Sequence, residues 1–297
     1  MSRVLVIALV CFLVSACSRV GFAYRNADWF LEYQADRAVD ITAIQLDLWE
    51  PLLIDTLRRH REEELPLVVD YLQLAGNIVG QSAQSGGAAC LLGAAVLVYE
   101  RHARLAVNLT VPLLSSLDAA QIEHLEEYMA KRQEDAAKRY LAPDPERRKA
   151  MRQERFFDRI EAWTGKLDDN QRTRIQEALE HIPDLASSWL VYREQQTKRL
   201  LDILKAGADE NNLHEFLTEW WVQRNGRSAA DRQQWSTAKR ELVRLLDGLN
   251  SILTAGQRSN IQSRLKILRE EMAVFLPPFR PPETLSSEIP ACASPPV

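Results

Sequence analysis

The sequence has none of the short motifs that announce enzyme chemistry. No GxSxG nucleophile elbow, phosphate-binding loop or GxGxxG turn occurs, so neither an acyl-enzyme nor a nucleotide site is expected, and no cofactor. The histidines, His60, His102, His124, His181 and His214, form no HExxH or HxxH pair, and the 4 cysteines form no CxxC. Zinc-ligand spacing is therefore missing. Charge of one sign is missing as well: Lys and Arg total 37 against 41 Asp and Glu, a net charge of −4. That balance lacks the concentrated basic footprint of a nucleic-acid binder, so no nucleic-acid partner is expected.

Glycine is scarce, 11 residues in all, and no strand–turn–strand pattern appears. What is abundant is helical spacing. Ile175, Leu179 and Ile182 share one helical face, as do Leu242, Leu245, Leu246 and Leu249, and Leu200, Leu201, Ile203 and Leu204 close a third amphipathic run. Recurrence at i, i+3, i+4 and i+7 marks helices packed on a common core. The expected fold is all-α, a multi-helix bundle or stack of amphipathic helices. The pattern predicts helices near 27–39, 42–74, 88–111, 118–141, 144–164, 168–181, 184–206, 212–224, 229–251 and 254–275. Pro51 and Pro66 should kink or break the second of these, and Pro112 should end the third. From Tyr71 to Tyr99 no charged residue occurs. Ala88 to Tyr99, its most apolar part, is too short to span a bilayer and reads as a buried helix behind a Gly/Ser/Gln loop.

The chain starts with a short basic segment, Met1-Ser2-Arg3, followed by the apolar run Val4–Val14 and then Ser15-Ala16-Cys17. The run falls well short of the ~20 residues a membrane span needs, but it suits a signal peptide. Small residues before a cysteine resemble the cleavage site of bacterial lipoproteins. This resemblance implies removal of residues 1–16, lipidation of Cys17 and membrane attachment through its acyl chains. Ser18, where an aspartate would favour retention at the inner membrane, implies an outer-membrane address facing the periplasm. Residues 17–276 then form a single helical domain, and the Pro-rich 277–297 a disordered tail. Of the remaining cysteines, Cys90 lies in an apolar stretch and Cys292 in the tail. Two unpaired thiols are expected, with a Cys90–Cys292 disulfide as the alternative.

Close to the anchor, Tyr24 to Tyr33 is rich in aromatics. The expectation is that Trp29 and Phe30 pack the first helix onto the body. The alternative places this segment in the lipid headgroup region. Runs such as Glu62-Glu63-Glu64 and Glu126-Glu127 read as solvated helix faces with basic partners. His60, beside Arg61 and Glu64, reads as a surface residue.

One pattern recurs four times: Ile41-Thr42-Ala43-Ile44-Gln45, Leu117-Asp118-Ala119-Ala120-Gln121, Leu167-Asp168-Asp169-Asn170-Gln171 and Leu253-Thr254-Ala255-Gly256-Gln257. Each fits a capping box in which Thr or Asp caps the N3 amide and Gln reaches back to the cap's own N–H. An aliphatic residue follows each Gln by about four positions, Leu48, Leu125, Ile175 and Ile261, and the aliphatic residue before each cap is placed for a hydrophobic staple against the first turn. The pattern resembles the Leu-Thr-x-x-Gln signature of small periplasmic helical chaperones and envelope-stress sensors of the Spy and CpxP type, over five residues per copy and with Asp for Thr in two.

A wider resemblance runs from Cys17 through Tyr24-Arg25-Asn26-Ala27-Asp28-Trp29 and Arg61-Glu62-Glu63-Glu64-Leu65-Pro66. It continues through Arg159-Ile160-Glu161-Ala162-Trp163-Thr164-Gly165, Ile182-Pro183-Asp184-Leu185 and Trp189. Together these resemble a family of proteobacterial lipoproteins of unknown function, with a departure in the uncharged 76–98. The resemblance implies lipidation and an all-helical fold, and it transfers no activity. The functional expectation is a non-enzymatic, lipid-anchored envelope protein that binds an envelope protein partner. A chaperone-like or envelope-stress role is the alternative.

Overall fold

The computed structural model describes residues 19–81, 86–141, 144–207 and 209–278. The expected lipidation site Cys17, the signal segment, Cys292 and almost all of the Pro-rich tail lie outside the described residues. Among those described, the chain is helical, without a strand. The helices are α1 (Arg19–Arg25), α2 (Ala27–Val39), α3 (Ala43–Arg59), α4 (Leu65–Gly80), α5 (Gly87–Ser115), α6 (Ala119–Tyr140), α7 (Pro145–Thr164), α8 (Asp169–His181), α9 (Ala186–Lys205), α10 (Glu210–Leu217), α11 (Ala229–Ile252) and α12 (Ala255–Ala273). Two π-helical segments, His60–Glu64 and Thr218–Gln223, continue α3 and α10 without a break.

Pro51 and Pro112 do not break their helices, whereas the chain is irregular near Pro66 as expected. Helix α3 runs through Pro51. The carbonyl that Pro51 leaves without a donor belongs to Asp47 and lies on an exposed turn, where water can take the bond. The irregularity comes at 60–64 instead, just ahead of Pro66, which occupies the first turn of α4 where it has no N–H to lose. Pro112 sits inside the last turns of α5 and does not end it.

Apolar burial is divided. The larger core joins Val39, Trp49, Leu53, Val107, Leu113, Leu125, Leu200, Leu213 and Leu217 from α2, α3, α5, α6, α9 and α10. Trp49 also donates its indole N–H to the Leu109 carbonyl at 2.8 Å. A second core joins Leu167, Ile175, Leu179, Leu245 and Leu249 from α8, α11 and the turn before α8, with Phe156 and Ile160 of α7 against it. Helix α5, about 43 Å long at 1.5 Å per residue, supplies the larger core with its C-terminal half. Its N-terminal half packs on α4 through Ala94, Leu67 and Leu97. Helix α4 in turn packs on α12. The expected helix over Ala88–Tyr99 forms, but it is only partly buried: Ala88, Cys90 and Ala94 face inward, while Tyr99 is 46 % exposed. No described helix is long and apolar enough to cross a membrane. Cys90 is buried, but it is disulfide-bonded and not the unpaired thiol expected.

All four predicted capping boxes form, at Thr42/Gln45, Asp118/Gln121, Asp168/Gln171 and Thr254/Gln257. They also meet in pairs, which the sequence pattern did not suggest. Gln45 and Gln121 exchange amide hydrogen bonds at 2.9 and 2.8 Å, and Gln171 and Gln257 do the same at 2.8 and 2.9 Å. Each glutamine's second amide hydrogen reaches the carbonyl two residues before the partner's cap: Ser116, Asp40, Ile252 and Lys166, at 2.9, 2.9, 3.0 and 3.0 Å. Each Oε1 also accepts from its own cap N–H. Every donor and acceptor of the four side-chain amides is thereby used, which allows Gln121, Gln171 and Gln257 to be buried. The pairs tie α3 to α6 and α8 to α12, one pair beside each core. Leu125 and Ile175 are buried behind their caps, whereas Leu48 is 71 % exposed.

Candidate functional site

One turn of α5 organises the polar interior. Its four consecutive residues Tyr99, Glu100, Arg101 and His102 reach both π-helical segments or the loop that follows one of them. The Tyr99 hydroxyl donates to the Trp221 carbonyl at 2.7 Å, and Glu100 pairs with Arg224 at 3.4 Å. Arg101 pairs with Glu64 at 2.7 Å, and His102 bonds His60 at 3.0 Å. A π-helical turn carries an extra residue and re-aims the side chains around it, which is why such turns recur at functional sites. Here the first presents His60 and Glu64, and the second Trp220 and Trp221.

Beside the second π-helix opens a cleft of about 840 Å³. Helix α5 lends it Tyr99, α9 lends Trp189 and Tyr192, the π-helix Trp220 and Trp221, and α11 Trp235. Four of the chain's 7 tryptophans line it, and no Asp or Glu does. Between the rings stand Arg224, Arg227 and Arg232. Arg227 lies between two aromatic faces, 4.1 Å from the Trp235 ring centroid and 4.5 Å from that of Tyr192. Burial pulls its guanidinium below the ordinary arginine value. No carboxylate of the described residues lies within 4.0 Å of it. The connecting loop is held in place. Tyr192 donates to the Asn225 carbonyl at 2.7 Å, Arg232 donates to that of Arg227 at 2.6 Å, and Arg224 adopts a left-handed φ of 57° that turns the chain out of the π-helix.

Beside the first π-helix lies a chain of aromatic hydrogen bonds. His102 Nδ1 is 2.7 Å from the Val98 carbonyl and must donate to it. In the neutral ring its Nε2 then accepts from His60 Nε2–H, and His60 Nδ1 accepts from the Tyr24 hydroxyl at 3.0 Å. Phe275 covers the Tyr24 ring at 4.6 Å, so α1, α5, the π-helix and the end of α12 converge here. His60 is therefore a half-buried junction residue and not the surface residue expected. Glu62 and Glu63 do form i,i+4 pairs with Arg58 and Arg59 in the open, but Glu64 is 4 % exposed. Burial, followed by the neighbouring His102 and Arg61 and opposed by Glu64, lowers the His60 pKa to about 4. An unfolded chain takes up this proton near pH 6.5 and the folded chain near 4. Between those values the unfolded state binds more protons, so stability falls as pH drops through the window and the loss is complete below it. His60→Gln should abolish a loss on the order of 2–3 kcal/mol, read as a flatter dependence of the denaturation midpoint on pH between 6.5 and 4.

The segment Tyr24–Tyr33 departs from the expected packing. Phe22, Trp29, Phe30 and Tyr33 are 70, 63, 50 and 45 % exposed. Trp29 stacks on Tyr33, and Arg37 lies over the same Tyr33 ring. Among the described residues no group of three or more metal-ligating side chains assembles. The cleft went unseen in the sequence because its aromatics come from four separate elements; only Trp220-Trp221 and the Arg-rich 224–232 hinted at it. No curated protein and no solved structure matches the chain. A family model does match residues 37–223, which include the first glutamine pair, the histidine chain and Trp220-Trp221, and the chain accordingly belongs to the family of unknown function DUF6279.

Proposed function

We propose that this protein is a lipid-anchored, non-enzymatic component of the cell envelope that holds another envelope component in its tryptophan- and arginine-lined cleft. The cleft is the observation that carries the reading. A concave surface with several large rings and two arginines, Arg227 and Arg232, that have no carboxylate partner among the described residues is suited to recognition, and it presents no nucleophile–base pair for chemistry. The tether rests on Leu13-Val14-Ser15-Ala16-Cys17. Acyl chains on Cys17 would set the protein on the membrane, and Ser18 favours the periplasmic face of the outer membrane. The exposed Phe22, Trp29, Phe30 and Tyr33 follow within one or two helices of that point.

Cys17→Ala should abolish palmitate labelling and shift the protein out of the membrane fraction. Unchanged labelling would refute the tether. For the cleft, a photocrosslinker at Trp235 should trap an envelope component that Arg227→Gln no longer retains. A chaperone-like role is the second reading, favoured by the apolar stripe Ile44, Leu48 and Leu52 on α3, which is 76, 71 and 42 % exposed. Suppression of client aggregation that is lost in Leu48→Ser would select it.

A further inference from the structure

We propose that the cleft binds an acidic glycan, a chain of pyranose units bearing carboxylates. This inference deepens the proposed function by naming the ligand class, and its test does not depend on the tether. Three features point the same way. The walls bring together aromatic rings from different elements, Tyr99, Trp189, Trp221 and Trp235. Arginines lie over one face of Tyr99, Trp189 and Trp235, and the C–H faces of pyranose rings stack on the remaining aromatic surface. The charged groups among them are all cationic. Arg227 is held between two rings and beside the Tyr192 hydroxyl, with no carboxylate of the described residues within 4.0 Å, so it is placed to take up a ligand's carboxylate. Finally, the exposed amides of Gln223 and Asn225 line the cleft, bonded to each other at 2.7 Å and with donor and acceptor capacity left for sugar hydroxyls.

Size and openness agree. The volume of about 840 Å³ lies within the range of ligand sites, and Tyr99 and Trp235, 46 and 37 % exposed, leave the rim accessible to a chain that enters and leaves. A nucleic acid fits less well, because the protein carries a net charge of −4 and lacks the broad basic face that a phosphate backbone requires. An acidic peptide would satisfy the arginines but give the indole faces nothing flat to cover.

The test is a titration of the full-length protein in detergent, followed by tryptophan fluorescence and calorimetry, with tetragalacturonate, neutral cellotetraose and hexa-aspartate as probes. Tetragalacturonate should quench the fluorescence and bind at least about tenfold more tightly than either other probe. Arg227→Gln and Trp235→Ala should each weaken it by about tenfold or more. If Arg227→Gln lowers the melting temperature, the exposed Arg232→Gln serves in its place, with a smaller loss expected. Absence of tetragalacturonate binding, equal binding of cellotetraose or hexa-aspartate, or full affinity in all three variants would overturn the proposal, while Cys17-dependent anchoring would stand unaffected.

Discussion

Gln171→Leu is expected to destabilise the protein by about 3–5 kcal/mol, a large effect for a substitution that keeps the side chain apolar-compatible and similar in size. Gln171 is 2 % exposed and makes four side-chain amide bonds: from the Asp168 N–H, to the Ile252 carbonyl, and to and from Gln257. Leucine removes all four and leaves the Gln257 amide half-satisfied at a buried site. The penalty for each stranded polar group is about 1–3 kcal/mol, larger than the net worth of a bond, because water cannot replace the partner. Gln45→Leu should cost less, about 2–3 kcal/mol, since it too leaves a buried partner, Gln121, half-satisfied, but its own bonds to Ser116 lie at the surface where water replaces them. The double variant Gln171→Leu/Gln257→Leu should fall clearly short of the sum of the singles, because each single change already breaks the exchange. Chemical denaturation of the four proteins measures this, and strict additivity would contradict the reciprocal pairing.

The second large effect concerns Glu64. Its side chain is 5 % exposed, and the Arg101 guanidinium, 2.7 Å away, is its cationic partner. Arg101→Met should destabilise the fold by about 3–5 kcal/mol, because it leaves a charge in a poorly solvated position. Glu64→Gln should cost less, since a neutral amide tolerates the site better. Arg101→Met combined with Glu64→Gln should recover part of the loss of Arg101→Met alone. Equilibrium unfolding of the three variants reads the effect, and a double variant no better than Arg101→Met would argue that the arginine acts through packing.

Much of the architecture was legible locally. Amphipathic spacing placed most helices because each buries one face, and the capping boxes located four starts because Thr or Asp followed by Gln satisfies the same orphan amides in every copy. The pairing of those caps was hidden, since it depends on contacts between residues 76 and 86 apart in sequence. The π-helical segments were hidden for another reason: His60–Glu64 and Thr218–Gln223 have the composition of ordinary helix, and only the packing of α5 against them reveals the extra residue. The candidate cleft was the least visible, because Tyr99, Trp189, Trp221 and Trp235 share no local pattern. Lone aromatics along a chain are ordinarily core residues, as Trp49 is.

The turn Tyr99–His102 joins two places that would otherwise be unrelated. An α-helical turn is about 5.4 Å high and its residues move together. A ligand that drew Tyr99 and Glu100 toward Trp221 and Arg224 would therefore carry Arg101 and His102 with it. If that displacement altered the readiness of His60 to accept a proton by some factor, protonation of His60 would alter the ligand's affinity by the same factor, since such linkage is reciprocal. A short stretch of helix then serves as a common axle for occupancy at one end and acidity at the other.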